Sequence, residues 1–299
     1  MNVAIVVFSP NGNTLKVAKM LENNLIDKYM SVQLIELTGN KIFSDVKTIN
    51  NYLCENIHKH DLLLIGAPVY AHHFHYNIKN VIKSLPEIDS NWGKFAIPFV
   101  TYGGINSGIA LYEAAKLLKK SGREVIAGMK INSFHCWTKR FNKKINEGMP
   151  GDEIKSIIDD LAERIENYKD SKEIINELNY QNLKVRLKAK ILFREKFSHN
   201  IVYPKLKIEH DRCKNCGRCI KICPVQRLEF EENKRIKENK RINCIHCQMC
   251  TFECSHNAID FKTDWSKWEK ILNNAGEGNG PLPSKEFPLS CVYPIRNVK

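Results

Sequence analysis

Eight cysteines fall into one pattern written twice. Cys213, Cys216, Cys219 and Cys223 form the first copy, followed by Pro224, and Cys244, Cys247, Cys250 and Cys254 form the second. Each cysteine of the second copy lies 31 residues beyond its counterpart. The run C-x2-C-x2-C-x3-C-P is a spacing for iron–sulfur ligation by soft thiolates. Two copies therefore predict two [4Fe–4S] clusters and one-electron chemistry. Zinc favours C-x2-C pairs separated by longer gaps and leaves the third and fourth cysteine of each copy unexplained. Cys54, Cys136 and Cys291 stand apart from the repeat and read as ordinary buried or surface thiols.

A second group of residues points to a phosphate. The apolar run Val3 to Phe8 ends in Ser9-Pro10-Asn11-Gly12-Asn13-Thr14, and an amphipathic stretch from Leu15 to Lys28 follows. A buried strand, a turn of small hydroxyl and glycine residues and a helix start bring N–H groups and hydroxyls together at a positive dipole end. The bland alternative is a helix cap by Ser9 or Asn11. The spacing matches neither G-x-G-x-x-G nor G-x-x-x-x-G-K-[ST]. Two further segments place aromatics beside small residues, which suits a planar ligand. They are Gly66-Ala67-Pro68-Val69-Tyr70, continuing into His72, His73 and His75, and Tyr102-Gly103-Gly104. Phe134-His135-Cys136-Trp137 is a fourth aromatic segment, read chiefly as core packing.

These residues need elements to hold them. Strands are expected over residues 3–8, 32–37, 62–66, 95–102 and 125–131, with helices over 15–28, 46–58, 78–85 and 109–120. Such alternation predicts an α/β fold with a doubly wound parallel sheet and right-handed crossovers. Ligands in such sheets sit beyond the carboxyl ends of the strands, where the three loops above fall. A helical stretch from residue 151 to about 198 follows, with Leu183, Leu187, Ile191 and Leu192 as its packing face. Trp265 and Trp268 mark a short anchored helix, and residues 276–283 and the end of the chain read as irregular.

The phosphate loop, the Gly-Ala-Pro-Val-Tyr segment and the Tyr-Gly-Gly segment together resemble a flavodoxin over roughly residues 1–165. That resemblance implies a five-stranded sheet and bound FMN. It places the phosphate on Ser9, Asn11, Gly12, Asn13 and Thr14. Pro68, Val69 and Tyr70 fall on one side of the ring, and Tyr102, Gly103 and Gly104 on the other. Pro10 departs from the pattern by removing an amide donor. His72 and His73 are the catalytic candidates, able to stack on the flavin, protonate it or tune it, or else simply to face solvent. Residues 204–262 resemble a bacterial two-cluster ferredoxin of α+β type, with Ser255 where that family has proline. In such folds the fourth cysteine of each run crosses over. The resemblance thus implies one cluster on Cys213, Cys216, Cys219 and Cys254, and the other on Cys244, Cys247, Cys250 and Cys223. The implied organisation is an FMN domain over 1–170, a basic helical connector over 171–203, a ferredoxin domain over 204–262, and a C-terminal helix and irregular tail over 263–299.

Composition narrows the function. The chain has 299 residues and no apolar run long enough to span a membrane. An unadorned N-terminus and eleven cysteines suit a reducing cytoplasm. The net charge is +13, and residues 171–299 carry 25 Lys+Arg against 15 Asp+Glu. A stripe from Lys184 to Lys207 concentrates that excess and suits acidic redox proteins of ferredoxin or flavodoxin type. The leading expectation is an anaerobic electron-transfer protein relaying electrons between FMN, the clusters and an external partner. One alternative is a ferredoxin-linked flavin reductase acting on a small molecule. A redox-sensing nucleic-acid binder ranks last, since few aromatics accompany the lysines and no recognition motif precedes them.

Overall fold

The computed structural model describes residues 1–170, 172–191, 203–277 and 288–296. Seven strands arise in the N-terminal half: β1 (Asn2–Val7), β2 (Ser31–Glu36), β3 (His60–Tyr70), β4 (His73–Phe74), β5 (Trp92–Tyr102), β6 (Glu124–Val125) and β7 (Gly128–Asn132). Five of them form a parallel core in the order β2-β1-β3-β5-β7. This is the doubly wound order whose switch point lies between β1 and β3. The helices are α1 (Asn13–Asp27), α2 (Val46–Asn56), α3 (Tyr76–Lys83), α4 (Ala110–Lys120), α5 (Lys155–Glu166) and α6 (Leu183–Ile191).

Period-two alternation splits each central strand between two cores. Ala4 and Val6 of β1 pack toward α2, α3 and α4, while Val3, Ile5 and Val7 pack toward α1 and α5. Because both faces are covered, β1 and β3 read as unbroken apolar runs. A fully buried Val, Leu or Ile contributes roughly 1.5–3 kcal/mol, so this sheet is a rigid platform for the loops at its carboxyl edge.

Three expectations change. First, the sheet gains a strand from the tail, β12 (Cys291–Tyr293), antiparallel to β7 with Cys291 opposite Lys130. Three residues before a proline are too few to show a period, yet Cys291, Val292 and Tyr293 are all buried. Second, Gly66 to Tyr70 is not loop: β3 continues through it, with Pro68 opposite Thr101, because β5 extends far enough to pair with it. Ala71 and His72 then turn with φ of 47° and 69°, and His73–Phe74 pairs back. Third, α6 buries Val185 and Ala189 and leaves Leu183, Leu187 and Ile191 exposed. The small Ala189 lets the backbone come close enough for its carbonyl to meet His73 Nε2 at 3.0 Å. Leu192, the stripe from residue 192 to 202 and most of 276–283 lie outside the described residues.

The cysteine region is a structural as well as a sequence repeat. Its strands are β8 (Lys205–Ile208), β9 (Leu228–Phe230), β10 (Ile236–Glu238) and β11 (Ile259–Lys262). They pair antiparallel as β8 with β11 and β9 with β10. Short helices Arg218–Ile222 and Met249–Phe252 start 31 residues apart. Left-handed backbone recurs at the same offset: Asn215 with His246, Gly217 with Gln248, and Gln226 with Asn257. The helix Trp265–Gly276 follows, its N-terminus capped by Asp264. Among the described residues no helix is long and apolar enough to cross a membrane.

Candidate cofactor sites

The eight repeat cysteines sort into two cavities. Cys213, Cys216, Cys219 and Cys254 line an outer one; Cys223, Cys244, Cys247 and Cys250 line an inner one. Cys223 and Cys254 have each crossed to the other copy's trio. The turns serve the sulfurs. Asn215 N–H meets Cys213 Sγ and His246 N–H meets Cys244 Sγ, each at 3.4 Å; Arg227 N–H reaches Cys223 Sγ at 3.1 Å and Ala258 N–H reaches Cys254 Sγ at 3.2 Å. Amide donors aimed at sulfur stabilise thiolate charge, as a cluster ligand requires. Among the described residues no three His, Cys, Asp or Glu side chains converge on one metal ion. The thiols therefore enclose a volume, which fits a cubane.

The two environments differ. The outer site packs in a small cluster with Leu228, Ile236 and Ile259, and Cys216 is exposed. Arg212, Lys214, Arg218 and Lys221 are exposed around it. The inner site belongs to the main core: Cys223 and Cys247 pack with the α2 and α3 side of the sheet. Burial pushes the Cys244 thiol up to about 11 and Cys247 well above its usual range. Arg227, on the inner cavity, has its charge balanced by Glu238 at 2.7 Å. Cationic influence thus concentrates on the outer site.

The switch point holds a cavity of about 790 Å³, within the roughly 300–1,000 Å³ of small-molecule sites. Ser9, Asn11, Asn13, Thr14, Pro68, Val69, Tyr70, Tyr102 and Gly103 all line it. Gly12 stands behind, at the α1 N-terminus, with φ +83° that a side chain would strain. Gly104 faces the other way, where a Cβ would stand 2.1 Å from Asn146 Nδ2. The phosphate-loop side chains are already engaged. Ser9 Oγ accepts from Leu15 N–H at 2.9 Å, Thr14 and Thr101 hydroxyls pair at 2.8 Å, and Asn13 Nδ2 donates to the Phe134 carbonyl at 3.1 Å.

His72 and His73 do not line this cavity. Burial lowers the His72 pKa to about 4, and His73 spans Glu113 and Ala189. His75 is fully buried and caps α3 by accepting from Asn77 N–H at 3.2 Å. The histidines that do reach the cavity are His135 and His246. His246 hid inside a cysteine motif, where its spacing gave no separate signal. Phe134, Cys136 and Trp137 also form cavity wall, so the segment read as packing does more than pack.

The remaining wall comes from the cysteine half. Ile245 and His246, between Cys244 and Cys247, line the cavity together with Tyr203, Trp268 and Leu272. Asn11 Nδ2 donates to the Cys247 carbonyl at 3.0 Å, and Trp137 Nε1 to the His246 carbonyl at 2.6 Å. Gly39 N–H meets the Pro224 carbonyl at 3.0 Å, and Arg140 Nε meets Gln248 Oε1 at 2.8 Å. Trp137 also packs edge-on against Trp268, centroids 5.1 Å apart. The inner cysteine loop is thus one wall of the switch-point cavity.

Comparison with known proteins matches this division. The NADPH-dependent FMN reductase family matches residues 1–129, and the 4Fe-4S dicluster domain matches residues 205–261. An uncharacterized ferredoxin of Methanocaldococcus jannaschii is 30% identical over 118 residues, covering 36% of this chain and 79% of the relative. Ferredoxin-3 of Nostoc sp. is 36% identical over 80 residues, covering 20% of this chain and 82% of the relative. Among solved structures, a flavodoxin from the domain Archaea is 20% identical with a TM-score of 0.36, covering 56% of this chain and 99% of that one. The apo form of an NADH:FMN oxidoreductase is 18% identical with a TM-score of 0.41, covering 56% and 89%.

Proposed function

We propose, on the premise that this chain belongs to the ferredoxin family and carries its dicluster domain behind a flavodoxin-like FMN domain, that it is an internal electron relay between FMN and an external one-electron carrier. Its cofactors are FMN and two [4Fe–4S] clusters. FMN exchanges one or two electrons and each cluster one, so joining them couples two-electron chemistry to single-electron carriers. The observation that carries the reading is the shared wall: Ile245 and His246 touch the switch-point cavity while their neighbours Cys244 and Cys247 line the inner cluster cavity.

The chain's own residues divide the work, with residues 1–170 as the FMN domain and 204–262 as the cluster domain. The α1 N-terminus and the backbone amides of the Ser9–Thr14 loop would hold the phosphate; the Ser9 hydroxyl, already accepting from Leu15, keeps its proton to donate. Tyr70 and Tyr102 would border the ring, and burial keeps the Tyr70 phenol protonated by raising its pKa well above the usual range. At the other end, exposed Arg212, Lys214, Arg218 and Lys221 surround the outer site and would dock an acidic ferredoxin or flavodoxin. The thiolate-rich ligation suits the cytoplasm.

Anaerobic rapid mixing with a reduced ferredoxin tests the relay. Cluster bleaching followed by flavin reduction supports it; clusters that reduce while FMN stays oxidised through many turnovers sink it. The match to FMN reductases favours a second reading, reduction of a small molecule at the flavin. Against direct use of NAD(P)H stands the cover of Ile245, His246, Trp268 and Leu272 over the cavity. NAD(P)H is therefore expected to leave the flavin colour unchanged, and fast bleaching would favour the reductase.

A further inference from the structure

His135 follows β7 and lines the switch-point cavity. Its backbone is fixed: the N–H donates to the Ile145 carbonyl at 3.1 Å, and its carbonyl accepts from Thr138 N–H at 2.9 Å and Thr138 Oγ1 at 2.8 Å. The ring lies directly on Gly103, where a Cβ would stand 2.5 Å from His135 Cδ2 and 2.8 Å from Cγ. Only a residue without a side chain leaves the imidazole that place. Nδ1 is buried and meets no hydrogen-bond partner among the described residues. Burial also lowers the pKa to about 4, so the ring is neutral and carries one donor and one acceptor nitrogen.

A buried ring nitrogen without a partner is disfavoured, and such groups in native proteins usually find theirs in a ligand or an ordered water. The cavity that His135 borders is the one assigned to FMN, whose ring carries N–H and carbonyl groups along its edge. We propose that His135 hydrogen-bonds through Nδ1 to the polar edge of the flavin ring and thereby fixes how the ring sits in the cavity. A neutral imidazole serves either direction of that bond, accepting from a ring N–H or donating to a ring carbonyl. The inference rests on the FMN reading above and adds to it a side chain that the flavodoxin resemblance did not supply.

The test is an anaerobic FMN titration of the full chain with both clusters assembled, for wild type, His135→Leu and His135→Gln. Flavin difference spectra, in which unchanged clusters cancel, give affinity and ring environment together. Leucine is expected to weaken FMN binding about tenfold and to shift the bound flavin bands. Glutamine, which keeps a donor and an acceptor, restores most of both. Equal affinity and equal spectra for all three proteins overturn the proposal. So does a glutamine variant as weak as leucine with an unshifted spectrum, which marks a packing role alone. A wild-type chain that takes up no FMN sinks the functional reading itself, and the proposal with it.

Discussion

Gly103→Ala adds one methyl group at the tightest approach between the loop after β5 and the loop after β7. The new Cβ would stand 2.5 Å from Cδ2, 2.8 Å from Cγ and 2.9 Å from Cβ of His135. Carbon atoms sit comfortably at about 3.5–4.0 Å, so the imidazole must retreat by about 1 Å. Its backbone cannot follow freely, since Ile145 and Thr138 hold it. Overpacking of this kind costs about 1–3 kcal/mol. Expressed wholly on the cofactor, that is about a 5- to 150-fold rise in FMN Kd. FMN fluorescence titration of the cluster-loaded chain measures it. A double-mutant cycle with His135→Ala isolates the cause: truncation removes the two nearest contacts and leaves the third. An interaction energy of at least about 1 kcal/mol is therefore expected, with incomplete rescue. Gly103→Ala binding FMN within about twofold of wild type, or strict additivity to about 0.5 kcal/mol, refutes the reasoning.

Cys223→Ser should alter the electron paramagnetic resonance signal of the inner cluster and spare the outer one, although Cys223 belongs to the first run; damage to the outer signal would undo the crossed assignment. Reversing Lys214 and Arg218 to Glu should slow reduction by an acidic ferredoxin, and wild-type rates should fall as salt rises; salt-independent rates would argue against docking at the outer face. His72 is held neutral by burial, with a pKa of about 4 against 6.5 when unfolded. Between those values the unfolded chain takes up a proton that the folded chain refuses, so stability falls as pH falls from 6.5 to 4. The loss is about 1.4 kcal/mol per pH unit, and the contribution vanishes above pH 6.5. Denaturation of His72→Gln across that range should show a shallower acid limb than wild type, and parallel limbs would rule the effect out.

The cysteine spacing carried most of the legible chemistry, because ligand geometry is written into intervals of two and three residues. The 31-residue offset reappears in strands, helices and left-handed turns alike. The parallel order was legible for a similar reason: strands buried on both faces become plain apolar runs. What spacing could not show was contact across the chain. His72 and His73 stood in the expected ring-side segment, yet the extension of β3 to Tyr70 turned them away from the cavity. His135 and His246, which do reach it, owe that to packing between segments about a hundred residues apart. Leu183, Leu187 and Ile191 gave the right period for an amphipathic helix, but the smaller side chains Val185 and Ala189 allowed the closer approach.

The bond from Asn11 to the Cys247 carbonyl has a bearing on how the molecule is put together. A wall that belongs to two prosthetic groups cannot be finished until both builders have called. If the inner cysteine loop closes before FMN arrives, Ile245 and His246 stand across the entrance; if it never closes, the flavin lacks one side of its berth. Maturation is then a matter of sequence, with FMN seated while the inner iron site is still open. Oxidative loss of that iron would reverse the order and set a fluorescent cofactor free, so the glow of released flavin would mark which molecules had lost their inner iron.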